Sequence, residues 1–395
     1  MANNTRKFGT GDIFPSAASG KCCLSQFPFL IFFLLTIPLL SEDFLVVPMT
    51  PGRTHRGASG SIVALKNGTL LFAYGNPEHW TDTSRSGIIG RHSHDGGRTW
   101  GEPFVMQKNV ARYATLQPSL LRLANGDLLF GYNVMNSYLG PDIRFYDGKF
   151  YVRRSTDDGA TWGDPVCATP YPSYHTVNPQ HLIQLSSGRI VLPTEWTSAL
   201  GGGEAGHMVS LCYFSDDGYT WVRGRGVVDV GTTTEEPSIV ELKDGRLMMV
   251  FRNRNGYVGR AYSADRGDTW TDVGYLDLPS PLSPQTITRI PSTGDLLLVW
   301  LNNPLAPALA RKEVQPIVAI GEIKRALGAL RTPLSTAISR DQGKTWQNIH
   351  NLAADPRGDY GYQAVTFVGD TVLINYHSLD GINLTRLPIS WLYTP

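Results

Sequence analysis

Cysteine is scarce in this 395-residue chain: four occur, Cys22, Cys23, Cys167 and Cys212. That number is too small for a disulfide framework, and no C-x-x-C pair offers zinc-site spacing. Cys167 and Cys212 therefore read as small buried hydrophobes. Excess charge of either sign is also missing, since 35 basic and 34 acidic residues leave a formal net charge of +1. A near-neutral chain has no global field for nucleic acid or an anionic membrane, so any anion site must be a local cluster. Long apolar runs are missing too, apart from FPFLIFFLLTIPLL at 27–40. It is short for a bilayer span and carries Pro28 and Pro38. With Arg6, Lys7 and Lys21 before it, the run reads as a signal-peptide core, although no small-x-small cleavage site follows. Residues 1–44 are thus expected to be a signal peptide or membrane-targeting segment and 45–395 the folded body. The expected location is secreted or periplasmic, with membrane anchoring by the N-terminal segment as the other reading. Gly201-Gly202-Gly203 lacks the strand-to-helix context of a phosphate loop, which argues against nucleotide binding.

What the chain has in abundance is repetition. SHDGGRTW (93–100), STDDGATW (155–162), FSDDGYTW (214–221), SADRGDTW (263–270) and SRDQGKTW (339–346) are variants of one octapeptide. Its Asp can bond backbone amides within a turn, its Gly can take a conformation other residues resist, and its Trp can pack back on the sheet. A second element appears as KNGTLLFAY (66–74), ANGDLLFGY (124–132), SSGRIVLPT (186–194), KDGRLMMVF (243–251), STGDLLLVW (292–300) and VGDTVLINY (368–376). Each feeds a tight turn into a β-rich run, which is hairpin chemistry. Repeats at such periods indicate an array of like units, here six sheets. Residues 304–330 interrupt the pattern with Ala, Leu, Lys and Glu and predict a short helical excursion within the fifth unit.

The octapeptides are Asp boxes, S-x-D-x-G-x-T-W, and over residues 50–395 the chain resembles the sialidase family. That resemblance implies an all-β, six-bladed β-propeller with five Asp boxes. The third box departs from the pattern, with Phe214 where Ser is usual. The sixth unit has no box, as expected of a last blade closed by strands from both chain ends. Sialidases grip a substrate carboxylate with three arginines, attack with a Tyr activated by a Glu, and use an Asp as acid/base. In TTTEEPSIVELKDGRLMMVFRNR the resemblance places the Glu at Glu236 and a triad arginine at Arg252. Glu235 is then expected to point the other way, because strand side chains alternate. Arg331, eight residues before Ser339, falls on a second triad position. Tyr362 falls on the nucleophile, with Tyr360 its rival. The remaining arginine falls on Arg56, with Arg53 as rival and the usual R-I-P absent. The acid/base falls on Asp82.

The resemblance implies retaining exo-hydrolysis of terminal sialic acid, or of a related carboxylated sugar, with no cofactor and no metal. It implies an acidic-glycan substrate, no nucleic acid and no stable protein partner. Rival readings are another propeller enzyme, such as an exo-arabinanase-like hydrolase or a polysaccharide lyase, and a non-catalytic carbohydrate-binding propeller. Convergent arginines would separate the first from a sialidase, and the Tyr–Glu pair the second. Glu195 and Glu204 read as ordinary loop acids, His181 as a satisfied strand histidine, and Arg254 and Arg260 as lying outside the site.

Overall fold

Asn-Gly and Asp-Gly dipeptides close the hairpins that start the sheets. Asn67-Gly68 joins the strand Gly60–Ala64 to Leu70–Pro77, and Asn125-Gly126 joins Ala114–Arg122 to Leu128–Met135. Asp244-Gly245 does the same for Thr234–Glu241 and Leu247–Asn253. The glycines sit at φ 85°, 90° and 83°, a region that costs other residues. The computed structural model describes residues 41–49, 59–79, 84–137, 147–171, 173–198, 207–313, 317–320, 323–326 and 331–395. They form an all-β fold with a propeller-like arrangement of antiparallel sheets. The run 27–40, Arg53, Arg56, Asp82 and Glu204 lie outside the described residues.

Three sheets have four strands. One runs Thr234–Glu241, Leu247–Asn253, Tyr257–Ser263, Thr271–Pro279, and the next Thr286–Arg289, Leu296–Leu301, Leu334–Ser339, Gln347–Ala353. The third runs Gly361–Val368, Thr371–Ser378, Gly381–Pro388 and then Glu42–Pro48, so one strand from the early chain completes a sheet of the late chain. Glu42–Pro48 begins three residues ahead of the boundary expected at 45. A five-stranded sheet is built on Ile190–Ser198, and an eight-stranded one spans residues 60–167, its two halves meeting at a parallel bridge between Ser86 and Ala114. First strands and the Gln180 turn line a common axial cavity of about 620 Å³, to which Ile62, Leu120, Ile239, Ile287 and Val365 also contribute.

Apolar clusters fill the seams between successive sheets. At the closing seam Leu373, Ile382 and Leu384 pack on Ile62, Leu70 and Phe72. Burying each such side chain is worth about 1.5–3 kcal/mol. The Glu42 pairs with Arg386 (2.6 Å) and Arg98 (3.4 Å) are partly exposed and contribute less. Apolar burial therefore closes the ring.

Four octapeptides share one hydrogen-bond pattern. In the first, Ser93 Oγ donates to Asp95 (2.8 Å), Gly97 N donates to Ser93 Oγ (2.8 Å), and Thr99 N donates to Asp95 (2.9 Å). Asp157, Asp265 and Asp341 collect equivalent bonds. The third octapeptide is one residue tighter. Ser215 donates to Asp217, and Gly218 N donates to Ser215. The gap expected at Phe214 is thus filled by the next serine. Asp216, freed from the turn, pairs with Arg189 at 2.8 Å. The Trp of every octapeptide packs on a seam.

Between Leu296–Leu301 and Leu334–Ser339 the expected helical excursion is one short helix, Ala306–Ala310, followed by an antiparallel pair, Ile317–Ile320 with Ile323–Ala326. Pro304 and Pro307 restrict the helix, and Ile317, Val318, Ile320 and Ile323 supply the β-branched content that favours strands.

Candidate active site

Three first strands carry the same irregularity where they enter the fold. Register shifts lie between Leu116 and Ser119, between Glu235 and Ser238, and between Gly361 and Ala364. Within them Gln117, Glu236 and Tyr362 adopt φ of 53°, 50° and 53°. A non-glycine residue held there costs on the order of 1–3 kcal/mol, and such strain concentrates at functional sites. The bulge also breaks side-chain alternation. This overturns the expectation that Glu235 points away: Glu235 and Glu236 both turn to Arg252. Arg252 Nη1 donates to Glu236 Oε2 at 2.7 Å. Its Nε lies 3.1 Å from Glu235 Oε2, close enough for an ion pair but too bent for a hydrogen bond. Thr233 Oγ1 donates to the other Glu235 oxygen at 2.5 Å. Burial works against the Arg252 charge, but Glu236, Glu235 and Tyr362 outweigh it and hold the guanidinium well above its ordinary pKa.

Tyr362 is buried, and its backbone carbonyl accepts a hydrogen bond from Ser59, which immediately precedes Gly60–Ala64. The Arg331 guanidinium lies 5.6 Å from its ring centroid, in cation–π range. Gly361 leaves room for this approach, since a Cβ there would stand 3.3 Å from Arg331 Nη1. Arg331 is 2% exposed, and among the described residues no carboxylate pairs with it. Its Nη2 reaches the Leu282 carbonyl only at 3.5 Å, and its buried Nε has no hydrogen-bond partner.

Glu195 is not the loop acid expected. It lies within Ile190–Ser198, 7% exposed, and its Oε2 accepts the Glu236 N–H at 3.1 Å across the seam. Thr176 Oγ1 meets its other oxygen. Burial, reinforced by the charges of Glu235 and Glu236, drives the Glu195 pKa well up; the Thr176 hydrogen bond and Arg252 oppose this. His181 is the satisfied histidine expected. Its Nδ1 lies 2.9 Å from the carbonyl of Pro237, next to the Glu236 bulge, and burial lowers its pKa to about 4 against that bond. It is therefore neutral at physiological pH, with Nδ1 donating. Among the described residues no cluster of three or more His, Cys, Asp or Glu is arranged to hold a metal ion.

A family model described as BNR repeat-like domain matches residues 133–374, more than half of the chain. The chain belongs to the sialidase/BNR-repeat superfamily. Within the superfamily, a sialidase of Micromonospora viridifaciens is 29% identical over 382 residues, covering 90% of this chain and 55% of that protein. A Bacteroides fragilis (strain YCH46) sialidase is 24% identical over 382 residues, covering 87% and 65%. The chain thus spans between half and two thirds of the length of these two curated relatives. Among solved structures, a Hadza microbial sialidase superposes with a TM-score of 0.67 at 20% identity, over 84% of this chain and 65% of that one. At that identity the likeness concerns the fold.

The site therefore brings together Glu236, Arg252, Arg331 and Tyr362. Tyr360, the rival of Tyr362, packs edge-on against Tyr376 at 5.9 Å in a seam cluster. Arg254 is exposed, and Arg260 pairs with Asp272 at 2.8 Å. Glu195, expected as an ordinary loop acid, lies beside this group through the Glu236 N–H. One signal for it is its place at the end of an apolar strand, IVLPTE, where a solvated acid is out of pattern.

Proposed function

We propose that the chain is an exo-α-sialidase-like retaining glycoside hydrolase, releasing terminal sialic acid or a related carboxylated sugar. The observation that carries the reading is Arg331: a buried guanidinium with no carboxylate partner among the described residues, set over the ring of Tyr362. A buried unpaired cation is costly and is relieved by an anionic ligand. The planar guanidinium suits a carboxylate, which it can hold by paired charge-assisted hydrogen bonds. Arg252 and, by resemblance, Arg56 complete the clamp. The pairing of two arginines with one Tyr and one Glu favours this reading over an arabinanase-like hydrolase, a lyase or a binding module. The sheets fit a six-bladed propeller with five Asp boxes, if the eight-stranded sheet is counted as two blades. We place the chain's work in the secreted or periplasmic space.

A sugar with a carboxylate on its anomeric carbon repels an Asp or Glu nucleophile, and a neutral Tyr avoids that repulsion. In the proposed sequence Tyr362 Oη attacks the anomeric carbon as Glu236 takes its proton, and the bond to the leaving oxygen breaks as Asp82 protonates that oxygen. Water then attacks the same carbon while Asp82 takes its proton. The Tyr362 oxygen leaves and recovers the proton held by Glu236. No cofactor or metal takes part in this sequence.

The test is hydrolysis of an aryl α-sialoside by the full chain, beside an analogue whose carboxylate is replaced by a neutral amide. Turnover of the acid with the amide at least about 100-fold poorer is expected from losing charge-assisted hydrogen bonds worth about 1.5–3 kcal/mol each. Equal turnover of both, or of neither, overturns the reading.

A further inference from the structure

Three carboxyl groups crowd one guanidinium in this site, and the charges do not balance. Glu235 and Glu236 already exceed Arg252 by one negative charge. Glu195 is buried beside them, one oxygen on the Glu236 N–H at 3.1 Å and the other on the Thr176 hydroxyl. The charged groups facing it are Glu235 and Glu236 from Thr234–Glu241 and Arg252 from Leu247–Asn253. Ser173–Thr176 presents Thr176, and the backbone of Val209–Ser215 pairs with Glu195 through Ser210. None of these adds a second cation. Like charges gathered away from water do not all stay ionised, and Glu195, which among the described residues makes no ion pair while Glu235 and Glu236 both pair with Arg252, keeps the proton.

We propose that Glu195 is a positioning residue that works as a neutral acid: its carbonyl oxygen anchors the left-handed backbone at Glu236, and its retained proton keeps the acid–arginine cluster at a single negative charge. The backbone at Glu236 is strained, at φ 50°, and the Glu195 oxygen is the acceptor for its N–H. The retained proton has a second effect. Ionising Glu195 raises the cluster from one negative charge to two, directly beside the arginine that receives an anionic substrate. Substrate binding then weakens as pH rises, while the chemical step changes less. This inference rests on the proposed function for its kinetic consequences only.

The test compares full-length wild type with Glu195→Gln and Glu195→Ala. Glutamine is the uncharged isostere: its carbonyl can accept the Glu236 N–H and its amide can donate to Thr176. On an aryl α-sialoside, Glu195→Gln is expected to keep wild-type kcat near neutrality and to abolish or displace the rise in KM at alkaline pH. Glu195→Ala is expected to lose about 10–100-fold in kcat/KM at every pH, the cost of one buried hydrogen bond to a strained backbone. A glutamine variant as impaired as the alanine one, or one with an unshifted pH profile, overturns the proposal. A second measurement needs no turnover. The infrared spectrum of the wild type in heavy water at neutral pD should contain a protonated-carboxyl C=O band that Glu195→Gln lacks. Absence of that difference overturns the neutral Glu195. Its presence in a chain that cleaves no sialoside keeps the neutral Glu195 and sinks the proposed function instead.

Discussion

Tyr362→Phe will abolish sialoside hydrolysis while leaving the fold intact. The variant removes one oxygen and keeps the ring, so the contact with the Arg331 guanidinium at 5.6 Å survives. The bond from Ser59 goes to the Tyr362 backbone and is also retained. What is lost is the nucleophile, and a nucleophile knockout removes several orders of magnitude in kcat; a drop of at least about 10³-fold is expected. Thermal melting should change little beside it. Retention of more than a tenth of the activity, with melting unchanged, would remove Tyr362 from the chemistry.

Arg252→Ala should be the most damaging change to stability. It leaves Glu235, Glu236 and Glu195 facing one another with no cation, and breaking a buried ion pair by deleting one partner costs about 3–5 kcal/mol. The sign with pH follows. Burial and the charges of Glu235 and Glu236 already raise the Glu195 pKa against the opposing charge of Arg252, so in the variant the contribution of the Glu195 proton is present at low pH and lost as pH rises through its folded value. The variant should therefore melt closest to wild type in mild acid and fall further behind towards pH 8. Arg252→Lys keeps a charge but not the fork that reaches Glu236 at 2.7 Å and Glu235 at 3.1 Å together, and should fall between the two. A denaturation midpoint for Arg252→Ala equal to wild type at neutral pH contradicts the buried-cluster account.

The repeats make most of the architecture legible in the chain itself. Turn residues such as Asn67-Gly68 act locally, and so does the Ser93–Asp95–Thr99 network, so short strings of residues carry them. The third octapeptide shows the limit. Aligning it by its Trp puts Phe214 at the serine position, yet the hydrogen bonds form between Ser215 and Asp217, because a turn one residue shorter satisfies the same donors. The departure at Glu235 has a different origin. Alternation holds for a regular strand, and only the backbone reveals that Glu236 sits in a bulge. The resemblance reaches Glu236, Arg252, Arg331 and Tyr362, all on or beside strand ends. It does not reach Glu195, whose importance arises from a contact across a seam between residues 41 positions apart in the chain.

The central claim is a covalent tyrosyl intermediate, and its stereochemical consequence can be observed directly. Proton NMR of the first sugar released from an aryl α-sialoside by the full chain, recorded before mutarotation, distinguishes two displacements from one. Two displacements at the anomeric carbon predict that the α anomer appears first and the β anomer follows spontaneously. Appearance of the β anomer first would mean direct attack by water and would contradict a Tyr362 nucleophile.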